Sequence, residues 1–472
     1  MENESAVLQK GNPLGYLPIG KLLKKFALPS VVAMLVNAIY NIVDQIFIGQ
    51  GIGYLGNAAT TVAFPVVSIV LAVSTLFGAG GSAYAAIKMG EKKEKEAQKT
   101  LGNVFIILII VGVIVAALGL IFLEPVLRVF GATDNNIGFA KDYTWIILLG
   151  TPFSMLGVGL SNLARTDGAP KLSMYSIVAG AVLNTILDPI YIFVFHWGVT
   201  GAAIATTTSQ IISAVVLVWY FLKRGNMRLT RESMKLSGTV CKNAFMLGIS
   251  SCILQFASVL LQITMNNSLV YYGNKTSVTG DVALSAMGIV MKLSMILISI
   301  CIGIGVGAQP ILGFNRGARQ YRRVKKTYQK AAAIATIVSV AGWALCLLIP
   351  HIILMLFGEA DQNFTDFAVK SMRIFLGGVF CAGFQIVSTN YFQATGQPIK
   401  ATVLSTLRQL LFLIPLILLM PLWMGLDGIL VAGPIADIMA AAVTAVLIAI
   451  EMKKLNRLIK ETEGEASAAV TA

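Results

Sequence analysis

Charge of either sign is scarce in this chain: only 12% of its 472 residues are Asp, Glu, Lys or Arg, and only two are histidine. Soluble domains carry about 25% charged residues, so this composition does not build a water-facing surface. The two histidines, His196 and His351, both fall near ends of apolar runs, which removes the commonest general base from any interior site. The five cysteines (Cys241, Cys252, Cys301, Cys346 and Cys381) lie mostly inside apolar runs at no metal-ligand spacing and read as small core residues. A nucleotide-binding loop is also missing. GAGGSA (78–83) and GIGVG (303–307) sit in apolar runs and lack the Lys-Ser/Thr of a P-loop. An enzyme is not expected from this inventory, no cofactor is implied, and any energy for work must come from an ion gradient.

What the chain has is hydrophobic length: 56% of its residues are hydrophobic and its mean hydropathy is +0.79. Twelve apolar runs, from about 26–50 to about 427–450, are each long enough to cross roughly 30 Å of hydrocarbon as a helix. The first 25 residues are polar and the run after them is too long for a signal-peptide core, so the first span is expected to be retained. The fold class is therefore all-α and polytopic. Its net charge of +14 invites a nucleic-acid reading, but the placement of that charge argues otherwise. Of the Lys and Arg residues outside the runs, 29 fall on one side and 5 on the other. That asymmetry is the positive-inside rule. It places both termini in the cytoplasm, makes the lipid bilayer of the plasma membrane the expected partner, and gives no reason to expect nucleic acid.

The sequence also repeats itself at an offset of about 227. GAGGSAYAAIKMGEKKEKEAQKT (78–100) falls on GVGAQPILGFNRGARQYRRVKKT (305–327), VFGATD (129–134) on LFGEAD (356–361), ARTDGAPK (164–171) on FQATGQPIK (392–400), and GVTGAAIA (198–205) on GLDGILVA (425–432). The expected organisation is an N-lobe at 1–222, a cytoplasmic linker at 223–244 and a C-lobe at 245–472. Each lobe carries six spans. Six is even, so the repeats are parallel, with a central cleft between them where a transporter of this build holds its substrate and opens alternately to each side.

An ionisable side chain at mid-membrane costs roughly 2.5–3.5 kcal/mol on insertion scales, so each one asks for an explanation. At about 1.5 Å per residue, Asp44 lies about 27 Å up span 1, Asp188 about 24 Å up span 5, and Thr206 about 12 Å down span 6 from the opposite side. All three meet at one level. Asn37, Asn41 and Asp44 share a face of span 1 with Tyr40 beside them, and Asn184 and Asp188 are i and i+4 on span 5. Pro189 lacks an N–H and frees the carbonyl of Thr185. This all-oxygen set suits a shared proton or a hard monovalent cation such as Na+. The matching positions of the second half, near Phe412, Leu416 and Ile263 or Thr264, carry no acid. That half has its own charges instead. Arg408, Asp437 and Lys292 lie at depths that let Asp437 pair with a cation, either as a structural ion pair or as a substrate contact. Met287, Met291 and Met295 form a stripe on span 8, which suits a core, a lipid face or a cleft for varied apolar ligands; with Tyr40 of span 1 they are the candidate lining of the substrate cleft.

The six-plus-six repeat, with LNTILDPIYIF (183–193), GVTGAAIATT (198–207), RTDGAPK (165–171) and VDQIFIG (43–49), resembles the multidrug and toxic compound extrusion (MATE) family over essentially the whole chain. The acids are similar to those of its DinF-like branch, and closer still to the MepA-like multidrug exporters. The resemblance implies a cation site at Asp44, Asn184, Asp188 and Thr206. It also implies efflux of amphipathic organic cations in exchange for H+ or Na+ by alternating access, in what is expected to be a monomer. The NorM-like branch has acids on spans 7 and 10, where this chain has Ser258 and Ala382, so a cation site in the second half is not implied. The competing reading is a lipid-linked oligosaccharide flippase on a related fold. Such a flippase would line its cavity with several basic residues, and only Lys292 and Arg408 lie within spans here.

Overall fold

The computed structural model describes residues 12–471 except 53, 131, 133, 277 and 356–361. Among the described residues there is no strand, and twelve helices are long and apolar enough to cross a membrane. They are α1 Ile19–Ile52, α2 Ala59–Gly90, α3 Glu94–Ile121, α4 Ile137–Thr166, α5 Pro170–Val194, α6 Gly198–Lys223, α7 Gly238–Gly273, α8 Val282–Gly317, α9 Tyr321–Leu348, α10 Phe364–Ala394, α11 Pro398–Met424 and α12 Leu426–Glu463. A four-residue helix, Pro13–Tyr16, precedes α1 and is capped by Asn12, whose Oδ1 accepts from the Leu14 N–H at 3.1 Å. Most helices overrun the apolar windows that foretell them, because polar residues at their ends extend past the hydrocarbon.

The surface chemistry fits a lipid solvent. On α3, Ile110, Val113, Ile114, Leu118 and Ile121 are all exposed, whereas Leu101, Val104 and Leu108 are buried with Leu156, Leu160 and Leu163 of α4. Helices suit that solvent because they satisfy their own backbone groups. Prolines stand inside α1 (Pro29), α2 (Pro65), α4 (Pro152), α8 (Pro310) and α12 (Pro434), as membrane helices tolerate when neighbours cover the freed carbonyls. Three spans also leave α geometry. α5 ends in a π turn over Ile190–Val194, α10 is 3-10 helical over Leu376–Cys381, and α11 is π-helical over Leu407–Leu413.

By internal packing the chain forms two compact units, one of Met1–Val31 with Ala257–Ala472 and one of Val32–Phe256. This packing division is not the 1–222 and 245–472 division of the repeat: the start of α1 packs with the second-half helices, and the start of α7 with the first-half helices. Glycine makes both arrangements possible. In one unit, a Cβ on Gly303 or on Gly307 of α8 would lie 2.5 Å from the Cα of Val31 or of Ala27 on α1. In the other, a Cβ on Gly248 of α7 would lie 1.7 Å from the Leu76 carbonyl oxygen on α2. No side chain fits at such distances, so the backbones touch there.

Polar anchors reinforce each arrangement. In the first unit, Asn315 Nδ2 donates to the Leu14 carbonyl at 3.0 Å, and Arg323 Nη2 donates to those of Leu14 and Leu17 at 3.1 and 2.7 Å. In the second, Asn103 Nδ2 donates to the carbonyls of Ser233 and Lys235 at 3.1 and 3.0 Å, while its Oδ1 accepts from the Ser237 N–H at 2.7 Å. Asp167 accepts from the N–H groups of Asn226 and Met227 at 2.9 and 2.7 Å. The segment between α6 and α7 is thus tied down along its length.

Candidate functional site

In the unit Val32–Phe256, Asp44 of α1 and Asp188 of α5 lie far from the ends where their helices enter, and they meet. The buried stripe of α5 runs through Ser173, Ser176, Gly180, Asn184 and Asp188, at helical spacing, so Asn184 and Asp188 face inward together. Asn184 Nδ2 donates to Asp188 Oδ1 and to Thr206 Oγ1 of α6, at 3.2 Å each. From α1, the Asp44 carboxyl comes within hydrogen-bonding reach of the Asp188 carboxyl. Two carboxyls this close in an apolar interior do not both stay ionised; they need a shared proton or a cation between them.

The oxygens left over point to what the site receives. Asp44 Oδ1, Asn184 Oδ1 and Asp188 Oδ2 are all buried without a hydrogen-bond partner. A stranded buried polar atom costs about 1–3 kcal/mol; of these three, one belongs to each carboxyl of the pair and the third to Asn184 beside them. Among the described residues no three His, Cys, Asp or Glu come together, so the donor set is not that of a transition-metal centre. A proton or Na+ fits the oxygens that are present.

The backbone beyond Asp188 is shaped to match. Pro189 offers no N–H to the Thr185 carbonyl, and the helix passes at once into the π turn, an irregularity that recurs at functional sites. That turn packs closely on its neighbours: a Cβ on Gly51 of α1 would lie 2.2 Å from Ile192, and one on Gly201 of α6 would lie 2.9 Å from the Tyr191 Cβ.

Tyr40 of α1 and Tyr143 of α4 both lie close enough to the two acids to feel their charge. Tyr143 escapes the sequence reading because an aromatic in an apolar run looks like core. The depth count could have found it: Tyr143 is 6 residues, about 9 Å, into α4 from the side where Thr206 is 8 residues, about 12 Å, into α6. Asn37 and Asn41 were expected among the oxygens, and the structure does not gather them there. Both are exposed, and Asn41 Nδ2 donates to the Asn37 carbonyl at 2.6 Å within its own helix.

In the other unit, Arg408 Nε donates to Asp437 Oδ1, forming an ion pair. Lys292, the other cation that depth offered to Asp437, joins no ion pair among the described residues. The methionine stripe divides: Met287 is in the core, Met291 packs partly buried against it, and Met295 is exposed. Ser258 bonds the Gln409 side chain, and Ala382 is buried.

The MatE family model matches residues 29–190 and 245–419. The multidrug export protein MepA of Staphylococcus aureus (strain NCTC 8325 / PS 47) is 26% identical over 436 residues, covering 91% of this chain and 94% of that protein. MepA of Staphylococcus haemolyticus (strain JCSC1435) is 26% identical over 428 residues, covering 90% and 92%. Among solved structures, the MATE multidrug transporter DinF-BH, solved as a complex with a ligand, is 34% identical, with a TM-score of 0.84 over 91% of this chain and 95% of that one. An outward-facing multidrug resistance MATE family transporter of the MOP superfamily shares the fold at a TM-score of 0.88 and 21% identity, over 95% and 99%.

Proposed function

The chain belongs to the MatE family of multidrug efflux transporters, and from that premise we propose that it exports amphipathic organic cations in exchange for H+ or Na+, which bind at Asp44 and Asp188. It is a multi-pass membrane transporter with small-molecule substrates; its family is not one of enzymes. The observation that carries the coupling reading is the buried Asp44–Asp188 pair with its three unpartnered oxygens. Contact between the two carboxyls favours the proton, because a carboxyl pair holds one proton between its members readily. Asn184 and Thr206 hold Asp188 in place, and Tyr40, beside the acids, lines the substrate cleft.

In this reading the empty site carries negative charge and favours a cationic drug. Filling the site with H+ or Na+ cancels that charge, weakens the drug and favours its release. The six-helix repeats 1–222 and 245–472, joined by 223–244, present the cleft alternately to each side. The protein works as a monomer in the plasma membrane with both termini cytoplasmic. Counterflow of a fluorescent organic cation in proteoliposomes, under pH and Na+ gradients imposed separately, tests all of this. Uptake driven by one gradient supports exchange and names the ion. Uptake driven by neither removes the reading, and tight binding of an anionic lipid in place of the dye turns it toward a lipid flippase.

A further inference from the structure

Departures from regular helix crowd together at one place in the unit that contains α8 to α12. The π stretch of α11 contains Arg408, and Pro434 of α12 lies one turn before Asp437. In the 3-10 stretch of α10, a Cβ on Gly378 would sit 2.5 Å from the Asp437 Cβ and 2.8 Å from the Pro434 Cα. Glycine at 378 is what admits Asp437. Gln385 Nε2 then fastens the Asp437 carbonyl at 2.7 Å. All of this surrounds one ion pair deep in the membrane. Arg408 is 10 residues into α11 and Asp437 is 11 into α12, about 15 Å and 16 Å from those helix ends.

The pairing is unusual in what it leaves over. An arginine and a carboxylate that only hold helices together pair best end-on, with two N–H groups on two oxygens. Arg408 instead uses Nε alone. Among the described residues neither Nη1 nor Nη2 has a partner, and the Arg408 side chain is 19% exposed where that of Asp437 is 1% exposed. Asp437 Oδ2 is itself buried and unpartnered. The guanidinium is therefore gripped from behind, with its forked face free at the edge of the unit. Two parallel N–H groups in that fork match a carboxylate.

We infer that Arg408 is a recognition residue for a carboxylate on an amphipathic zwitterion, with Asp437 as the positioning residue that fixes the guanidinium through Nε. This rests on the export reading and deepens it, by naming the residue that reads a carboxylate where a substrate carries one. Lysine in place of Arg408 keeps the charge and loses the fork. Asparagine in place of Asp437 keeps an acceptor for Nε and removes the competing negative charge.

The test uses the purified full-length protein and two probes: a coumarin dye bearing one quaternary ammonium and one carboxylate, and the methyl ester of the same dye. Fluorescence anisotropy gives the ratio of acid to ester Kd. Wild type is expected to bind the acid at least as tightly as the ester. Arg408→Gln should shift the ratio against the acid by about tenfold or more and Arg408→Lys by less, the ratio cancelling any loss common to both probes. Asp437→Asn should shift it toward the acid, which a purely structural residue would not do. An unchanged ratio in Arg408→Lys and Arg408→Gln with intact ester binding overturns the inference. Where Arg408→Gln does not fold, Arg408→Lys decides. A wild type that binds the ester and rejects the acid by more than about tenfold overturns it without any variant. A wild type that binds neither dye fails the export reading itself, and this inference with it.

Discussion

Replacing Asp188 by asparagine keeps the shape of the buried pair and removes its capacity to exchange an ion. Asp188 is 0% exposed; its Oδ1 accepts from Asn184, and its Oδ2 has no partner. Asparagine retains the first bond and turns a new N–H toward Asp44. A hydrogen bond to a charged group contributes about 1.5–3 kcal/mol. Against it stands an Asp44 carboxylate with no proton to share, and desolvation costs several kcal/mol per ion. The two effects oppose each other, so thermal stability should move by only a few degrees in either direction, at roughly 2–4 °C per kcal/mol for a domain of this size. Transport should change far more. Linkage makes drug and ion weaken each other by the same factor, typically about 5–150-fold where coupling exists. In wild type, dye affinity should therefore rise from about pH 5 to about pH 8.5, or fall on adding Na+, by a factor in that range. In Asp188→Asn the dependence should flatten to within about twofold, and gradient-driven counterflow should drop to the leak rate. Fluorescence quenching on purified protein and counterflow in vesicles read the two quantities separately. A folded Asp188→Asn protein with the wild-type ion dependence would refute the assignment, and the coupling carboxyl would have to be sought elsewhere.

Arg408→Ala strands the buried Asp437 carboxylate and should lower stability by about 3–5 kcal/mol, seen as a clear fall in thermal midpoint; an unchanged midpoint would show that Asp437 finds another partner or a proton. Asn103→Leu removes the bonds to Ser233, Lys235 and Ser237, each stranded backbone group costing about 1–3 kcal/mol. Trypsin should then cut near Arg231 and Lys235 much faster than in wild type, and equal rates would mean that the bonds from Asp167 and Gln98 suffice to hold the segment. Gly248→Val drives a side chain into the Leu76 carbonyl and should abolish folded yield, since overpacking of even ordinary cores costs about 1–3 kcal/mol; normal yield would show that α2 and α7 can separate there.

Hydropathy alone makes the twelve spans legible, because the hydrocarbon sets both their length and their composition. Four members of the carboxyl cluster were legible from depth. Asp44, Asn184, Asp188 and Thr206 lie on three helices at one level, and the structure brings them together. Helical periodicity says which residues share a face, not what covers that face. Asn37 and Asn41 share the Asp44 face yet bond along their own helix, and the stripe of Met287, Met291 and Met295 runs from core to surface. Depth leaves the partner of Asp437 open between two cations, because it does not report which way a side chain faces around its helix; Arg408 of α11 pairs with it, and among the described residues Lys292 of α8 joins no ion pair. The π and 3-10 stretches have no sequence signature, since they arise where packing overrides propensity. Nor does any change in hydropathy mark the places on α1 and α7 where the chain passes from one unit to the other.

Those two passages bear on how such a chain could be divided. A cut at the middle of the α6–α7 segment yields fragments 1–234 and 235–472, neither of which is a complete unit. The first carries α1 residues whose packing partners are on the second, and the second carries α7 residues whose partners are on the first. Each fragment expressed alone should be degraded, and the two expressed together should purify as one species. The same reasoning reaches back to the duplication. A lone six-helix precursor built on this plan would have been whole only as a dimer that traded the starts of its first helices, and fusing two copies end to end would make that trade permanent.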